Sequence, residues 1–164
     1  MHFSTVVGDR GSAAHADREL WLLCRAGAVL CGLPLTQVVE VMRMLPIEAV
    51  GGAPPCVSGL AIIRGTPTPI VDVALLLGGH AAPGERLVTV RAGTRTVALA
   101  VAAVLGVRSI EDSAQSLPPL LREAAGDIVS AIGRLDADLL LFLDTIRLLP
   151  QGYSACVSAL EVGA

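Results

Sequence analysis

The chain predicts a mainly β fold of two small barrels that share an apolar interface. Three observations carry that prediction. The composition is 53% hydrophobic but only 2% aromatic over 164 residues, so Val, Leu, Ile and Ala must fill the core. That favours short strands rich in β-branched residues, with a few Ala/Leu helices. The apolar runs are short and are broken by Gly-, Pro- and Asp-containing turns. And the pattern occurs twice. Arg25-Ala26-Gly27 aligns with Arg91-Ala92-Gly93, an offset of 66 (93 − 27), as do Leu33 with Leu99, Val38 with Val104 and Val41 with Val107. Further on the offset becomes 72 (144 − 72): Val57-Ser58 meets Val129-Ser130, Asp72 meets Asp144, and Leu76-Leu77 meets Leu148-Leu149.

Each copy reads strand–turn–strand, strand, loop, hairpin, capped helix. Residues 1–18 are polar and aperiodic, a mobile tail. Glu19 to Arg25 and Ala28 to Leu33 form a hairpin about Ala26-Gly27. Pro34 and Thr36 interrupt it, with room for one helical turn before a strand from Val38 to Arg43. Met44 to Pro55, with two glycines and three prolines, is a loop. Val57 to Ile63 and Thr68 to Val71 are strands, separated by Arg64-Gly65-Thr66-Pro67. Asp72 caps a helix from Val73 to Leu77, which Gly78-Gly79 closes.

The linker Gly78 to Gly84 is the internal boundary, dividing residues 19–150 into subdomains of about 19–79 and 85–150. The second copy places strands at Arg86 to Arg91, Thr96 to Val101 and Val104 to Ile110. A polar loop follows from Glu111 to Asp127, with one helical turn around Leu120 to Ala124. The last hairpin, Ile128 to Leu135 and Leu139 to Leu143, turns at Asp136-Ala137-Asp138. Asp144 caps a helix over Thr145 to Leu149. Residues 151–164 are a C-terminal tail.

Several function classes fall away. All twelve basic residues are arginine and they are scattered; with net charge −3 and few aromatics, nucleic-acid binding is not expected. No run approaches the roughly 18 apolar residues of a membrane span, and the first 18 residues hold no apolar signal core. A cytoplasmic location without direct membrane insertion is expected. Cys24, Cys31, Cys56 and Cys156 form no CxxC pair and read as apolar thiols, not metal ligands. Asp136 and Asp138 read as a solvated hairpin tip. A cysteine hydrolase using Cys56, His80 and Asp72 is the alternative from another class. It is disfavoured because Asp72 is explained as a cap, with a twin at Asp144. No cofactor motif is present, so no cofactor and no catalysis are expected.

The repeat also isolates what differs between the copies. At the positions of Glu40 and Arg64 the second copy has Gly106 and Asp136. Two readings stand at this point. The two charges are separate groups on edge strands, or they pair at the rim of an apolar groove and orient a partner.

The run Val38-Val39-Glu40-Val41-Met42-Arg43, the loop Pro54-Pro55-Cys56-Val57-Ser58-Gly59 and the block Ile63-Arg64-Gly65-Thr66-Pro67-Thr68-Pro69-Ile70-Val71-Asp72 resemble the signature of the bacterial chemotaxis coupling protein family, CheW. The resemblance spans about Leu20 to Leu149. It implies two intertwined five-stranded SH3-like barrels whose subdomains exchange strands. It also implies a non-catalytic adaptor that links the cytoplasmic tip of methyl-accepting chemoreceptors to the regulatory domain of the histidine kinase CheA. Such an adaptor would be recruited from the cytoplasm to membrane receptor arrays. A CheW-like scaffold in a non-motility chemosensory pathway is the neighbouring alternative. By the same resemblance Val38, Glu40, Gly59 and Arg64 match receptor-binding positions, and Val41 and Met42 match kinase-binding ones. The chain departs from the family at Cys56, where a bulkier residue is usual, and at Pro67 and Pro69, whose spacing suits an edge strand.

Overall fold

The structure is a computed structural model that describes residues 19–82, 84–109, 115–116 and 128–145. Among these residues eleven strands form two sheets. The strands are β1 (Leu20–Ala26), β2 (Val29–Pro34), β3 (Val38–Arg43), β4 (Val57–Ile63), β5 (Thr66–Asp72), β6 (Arg86–Ala92), β7 (Arg95–Val101), β8 (Ala103–Ser109), β9 (Gln115–Ser116), β10 (Val129–Leu135) and β11 (Asp138–Leu143). A 3₁₀ turn at Leu35–Gln37 precedes β3, and one short helix, α1 (Val73–Leu76), follows β5. No helix among the described residues is long and apolar enough to cross a membrane.

The sheet orders are β8-β1-β2-β11-β10-β9 and β3-β6-β7-β5-β4. One is the other with its copies exchanged. The first hairpin of the chain, β1–β2, lies among strands of the second half. Its twin, β6–β7, lies among strands of the first. The duplication is kept in fine detail. β5 runs parallel to β7 as β11 runs parallel to β2. The bulge between Val38 and Glu40 on β3 has its counterpart on β8, opposite Leu23 and Cys24.

Burial follows the same plan. Trp21, Leu23, Leu30, Leu140 and Phe142 pack together inside the first sheet. Ala61, Ile63, Ile70, Leu87, Ala98 and Ala100 pack inside the second. Between the sheets lies a larger cluster drawn from both, including Leu22, Leu33, Val71, Val88, Leu99 and Leu143. This is the shared apolar interface that the repeat predicts. The first barrel holds an edge-to-face aromatic pair, Trp21 and Phe142, with centroids 4.5 Å apart; the second fills with aliphatic side chains.

Most element bounds match the expectation within a residue. The turns sit one residue later, at Gly27-Ala28 and Gly93-Thr94, where each glycine takes positive φ (61° and 70°). Asp72 does cap α1, its carboxylate accepting the Leu75 N–H at 3.3 Å. Gly79 closes the helix by donating to the Ala74 carbonyl at 2.9 Å.

Three expectations need correction. β5 begins at Thr66, not Thr68, because the connection needs only Arg64-Gly65 as its turn. Nor is β5 an edge strand: it lies between β4 and β7. Its prolines are accommodated because β7 pairs only with residues 70–72, beyond both of them. And two residues of the segment read as a polar loop, Gln115–Ser116, pair with β10 as a sixth strand at the edge of the first sheet. The N-terminal tail, the helical turn around Leu120 to Ala124, the last helix beyond Thr145, the C-terminal tail and Cys156 lie outside the described residues.

Candidate functional site

β3 and β4 are the two edges of the second sheet, and the chain between them ties those edges together. Leaving β3, it crosses to Glu48, which makes a two-bond bridge with Leu60 of β4, each N–H donating to the other's carbonyl at 2.8 Å. Gly59 makes the crossing possible. Its φ is 148°, and a Cβ there would collide with the Glu48 carbonyl oxygen and lie 2.7 Å from the Glu48 carbonyl carbon.

The second tie is ionic. Glu40 projects from β3, just after its bulge. Arg64 occupies the β4–β5 turn. Arg64 and Gly65 both take positive φ (52° and 79°), as a type I′ hairpin turn requires. The turn carries the guanidinium back over the barrel rim. Nε donates to Glu40 Oε2 at 2.9 Å and Nη2 to Oε1 at 2.8 Å, a bidentate fork. The Arg64 side chain is 78% exposed and Glu40 25%. The hydrogen bond from Arg64 holds the Glu40 carboxyl below the usual carboxylate range, and the same bond raises the Arg64 guanidinium. The two charges are therefore paired and not separate groups.

A residue that pattern reading missed holds Glu40 in place. Its N–H donates to Thr89 Oγ1 at 3.1 Å, and the Thr89 hydroxyl donates to the Glu40 carbonyl at 3.3 Å. Thr89 is buried beside the apolar Leu87, Val88 and Val90 of β6. The signal lay in the repeat, where its counterpart 66 positions earlier is Leu23.

The remaining candidates divide by face. Cross-strand partners share a face of the sheet. Val38 and Val41 pair with Val90 and Val88, which point into the shared core; Glu40 and Met42 pair with Thr89 and Leu87 on the other face. Met42 packs half-buried on the barrel core beside Met44. Val41 is exposed, as is Val39 in the bulge. Each face of β3 therefore carries one residue of the receptor set of the resemblance and one of its kinase set. Gly59 sits under the Glu48 crossing. Next to the Arg64 turn lies an apolar groove of about 560 Å³, lined by Leu45, Pro46, Leu60, Ile62 and Pro67, with Glu48 its charged member.

The other candidates do not assemble into chemistry. The Asp72 carboxylate is committed to capping α1. Burial pushes the Cys56 thiol up, which is the wrong direction for a nucleophile. His80 is exposed in the linker. Asp136 and Asp138 are exposed at their hairpin tip, with Asp138 3.8 Å from Arg25.

Comparison with known proteins places the chain in a family. Residues 20–152 match the CheW-like domain. The chain belongs to that family. Among CheW-like relatives, Protein FrzA of Myxococcus xanthus is 30% identical over 141 residues, covering 81% of this chain and 88% of that protein. The crystal structure of the scaffolding protein TtCheW from Thermoanaerobacter tengcongensis superposes with a TM-score of 0.73 at 21% identity. It covers 82% of this chain and 94% of that one. The two sheets are thus the paired SH3-like barrels of the CheW-like fold, and the protein is a CheW-like adaptor of chemotaxis-type signalling.

Proposed function

We propose that this adaptor works without catalysis, holding the cytoplasmic tip of a methyl-accepting chemoreceptor in register with the regulatory domain of the histidine kinase CheA. It would do so from the cytoplasm, as part of a membrane receptor array. The observation that carries the reading is the Glu40–Arg64 fork. It is built in one barrel only, beside an apolar groove and the exposed Val39 and Val41. Such a rim offers apolar area for affinity and a fixed charge pattern for orientation. Val38, Glu40, Gly59 and Arg64 are assigned to the receptor side, with Gly59 acting through the backbone it shapes. Val41 is assigned to the kinase side, and Met42 supports it from the core.

The test must separate docking from folding. Arg64→Asn supplies the residue preferred at a type I′ turn position while removing the guanidinium. The expected result is an unchanged or higher melting temperature, with at least tenfold less receptor fragment and kinase recovered in a pull-down. Arg64→Glu should lose more, by setting two carboxylates against each other. Wild-type recovery of both partners by the two variants would refute the assignment.

A further inference from the structure

The duplication allows one corner of the two barrels to be compared position by position. The ladder between β2 and β11 begins at Leu30–Leu140. The corresponding residues of β7 and β5 are Thr96 and Thr68. They do not pair, and that ladder begins two residues later, at Ala98–Ile70. The cause lies in β5. Where β11 has Leu139 and Leu141, β5 has Pro67 and Pro69, which carry no N–H. Prolines two apart remove successive donors along one side of a strand, so the parallel ladder cannot zip up to the turn.

β5 and β7 therefore splay at their starts, around a notch of about 320 Å³; its twin measures about 190 Å³. The linings differ as much as the sizes. The twin is mostly apolar, with Ala28, Val29, Leu30, Leu139 and Leu141, beside the Arg25–Asp138 pair. The open notch is lined by Thr66, Pro67, Thr68, Thr94, Arg95 and Thr96. Thr68 is buried and its hydroxyl donates to the Thr66 carbonyl at 3.0 Å. Thr66, Thr94 and Thr96 are exposed and can turn their hydroxyls to a ligand. Arg95 already makes an interaction within the chain, but a guanidinium has five N–H donors and can serve more than one acceptor. The two turns that frame the notch, Arg64 to Thr68 and Arg91 to Thr96, carry no carboxylate and three arginines, of which Arg64 is already forked onto Glu40, in a chain whose net charge is −3.

We infer that this notch binds a small oxyanion, a phosphate or carboxylate group, through the Arg95 guanidinium and the threonine hydroxyls. The inference does not depend on the adaptor reading. The notch has room for such a group, and the donor-rich, acid-free lining selects an anionic acceptor.

The test is an amide NMR titration of the full chain at fixed ionic strength, once with inorganic phosphate and once with glutarate. Saturable shifts are expected at Thr66, Thr68 and Thr94 to Val97. They should weaken at least tenfold in Arg95→Gln and in the double variant Thr94→Val/Thr96→Val, and stay unchanged in Leu139→Thr in the twin notch. Pro67→Val/Pro69→Val should lengthen the ladder, protect new amides from exchange and abolish saturation. Tighter phosphate points to a free or protein-borne phosphate as the ligand; tighter glutarate points to an acidic side chain of a partner. No saturation by either anion overturns the inference. So does undiminished saturation in a folded Arg95→Gln. If Arg95→Gln does not fold, the threonine double variant decides in its place.

Discussion

Arg64 occupies a backbone conformation that L-residues with a Cβ avoid, and its twin position, Asp136, has the same φ within a few degrees (52° and 55°). The strain belongs to the turn; the guanidinium belongs to the first copy alone. Three single-residue outcomes follow from the surroundings of this pair. Thr89→Val keeps the shape but strands the Glu40 N–H, and should cost about 1–2 kcal/mol in a urea melt. Gly59→Ala drives a methyl into the Glu48 backbone and should cost about 2 kcal/mol or more, with exchange of the Glu48 and Leu60 amides accelerating. The third is a matter of pH. Glu40 has a lowered folded value because Arg64 donates to it. Its contribution is therefore present above the ordinary carboxylate range and is lost as pH falls through the lowered value. Carbon-detected titration of Glu40 should move back up to the ordinary range in Arg64→Ala. Sequence alone singled out Glu40 and Arg64 because the repeat showed both missing from the other copy. It could not join them, because the two edges they tie come together only when the barrel closes. Thr89 escaped for a plainer reason: a threonine between valines looks like any strand residue until its hydroxyl has a partner.

At the scale of elements, every strand but the two-residue β9 was legible to within two residues, since alternation, glycine and proline act locally. Sheet position was not. The two prolines of β5 argued for an edge, and the strand lies inside the sheet with a ladder that starts past them. That outcome depends on where β7 stops, which no property local to β5 encodes. The first hairpin shows a consequence of packing that can be measured. Cys24 of β1 and Cys31 of β2 are cross-strand partners buried in the shared core. Burial raises both thiols, with Cys31 pushed up to about 12 and Cys24 raised further by its neighbour. Unfolding releases them to the ordinary thiol range near 8.5–9. Stability is full below that range and falls as pH rises from there toward the folded values, by up to about 1.4 kcal/mol per pH unit for each thiol. The midpoint of urea unfolding should drop steeply above pH 9, and less so in Cys24→Ala/Cys31→Val. At pH 8 neither thiol should react with a bulky disulfide reagent before the chain unfolds.

For the molecule as a whole, the repeat made the two-barrel plan visible, but which half supplies which strand entered only through the likeness to a family. Repeats specify units; they do not specify that the units trade their first hairpins. The exchange makes the halves interdependent. A fragment ending at Gly79 carries β1–β2 without the β8 and β11 that flank it, and leaves β3 and β5 without β6–β7. Each half alone should therefore give a circular dichroism spectrum without a cooperative thermal transition. Mixing the two should restore one transition, and the intact chain should unfold in a single step by every probe. A half that melts cooperatively on its own would show that the shared core matters less than its position between the sheets implies.

The same exchange governs how the protein is made. On the ribosome, β1 and β2 emerge ahead of the other nine described strands, yet the strands that must flank them, β8 and β11, follow only in the second copy. Until then that apolar hairpin is a finished piece with unfinished edges, open to the wrong neighbour on a crowded polysome. A slow stretch of translation before β8 would lengthen that wait, and holdase chaperones should be most needed then.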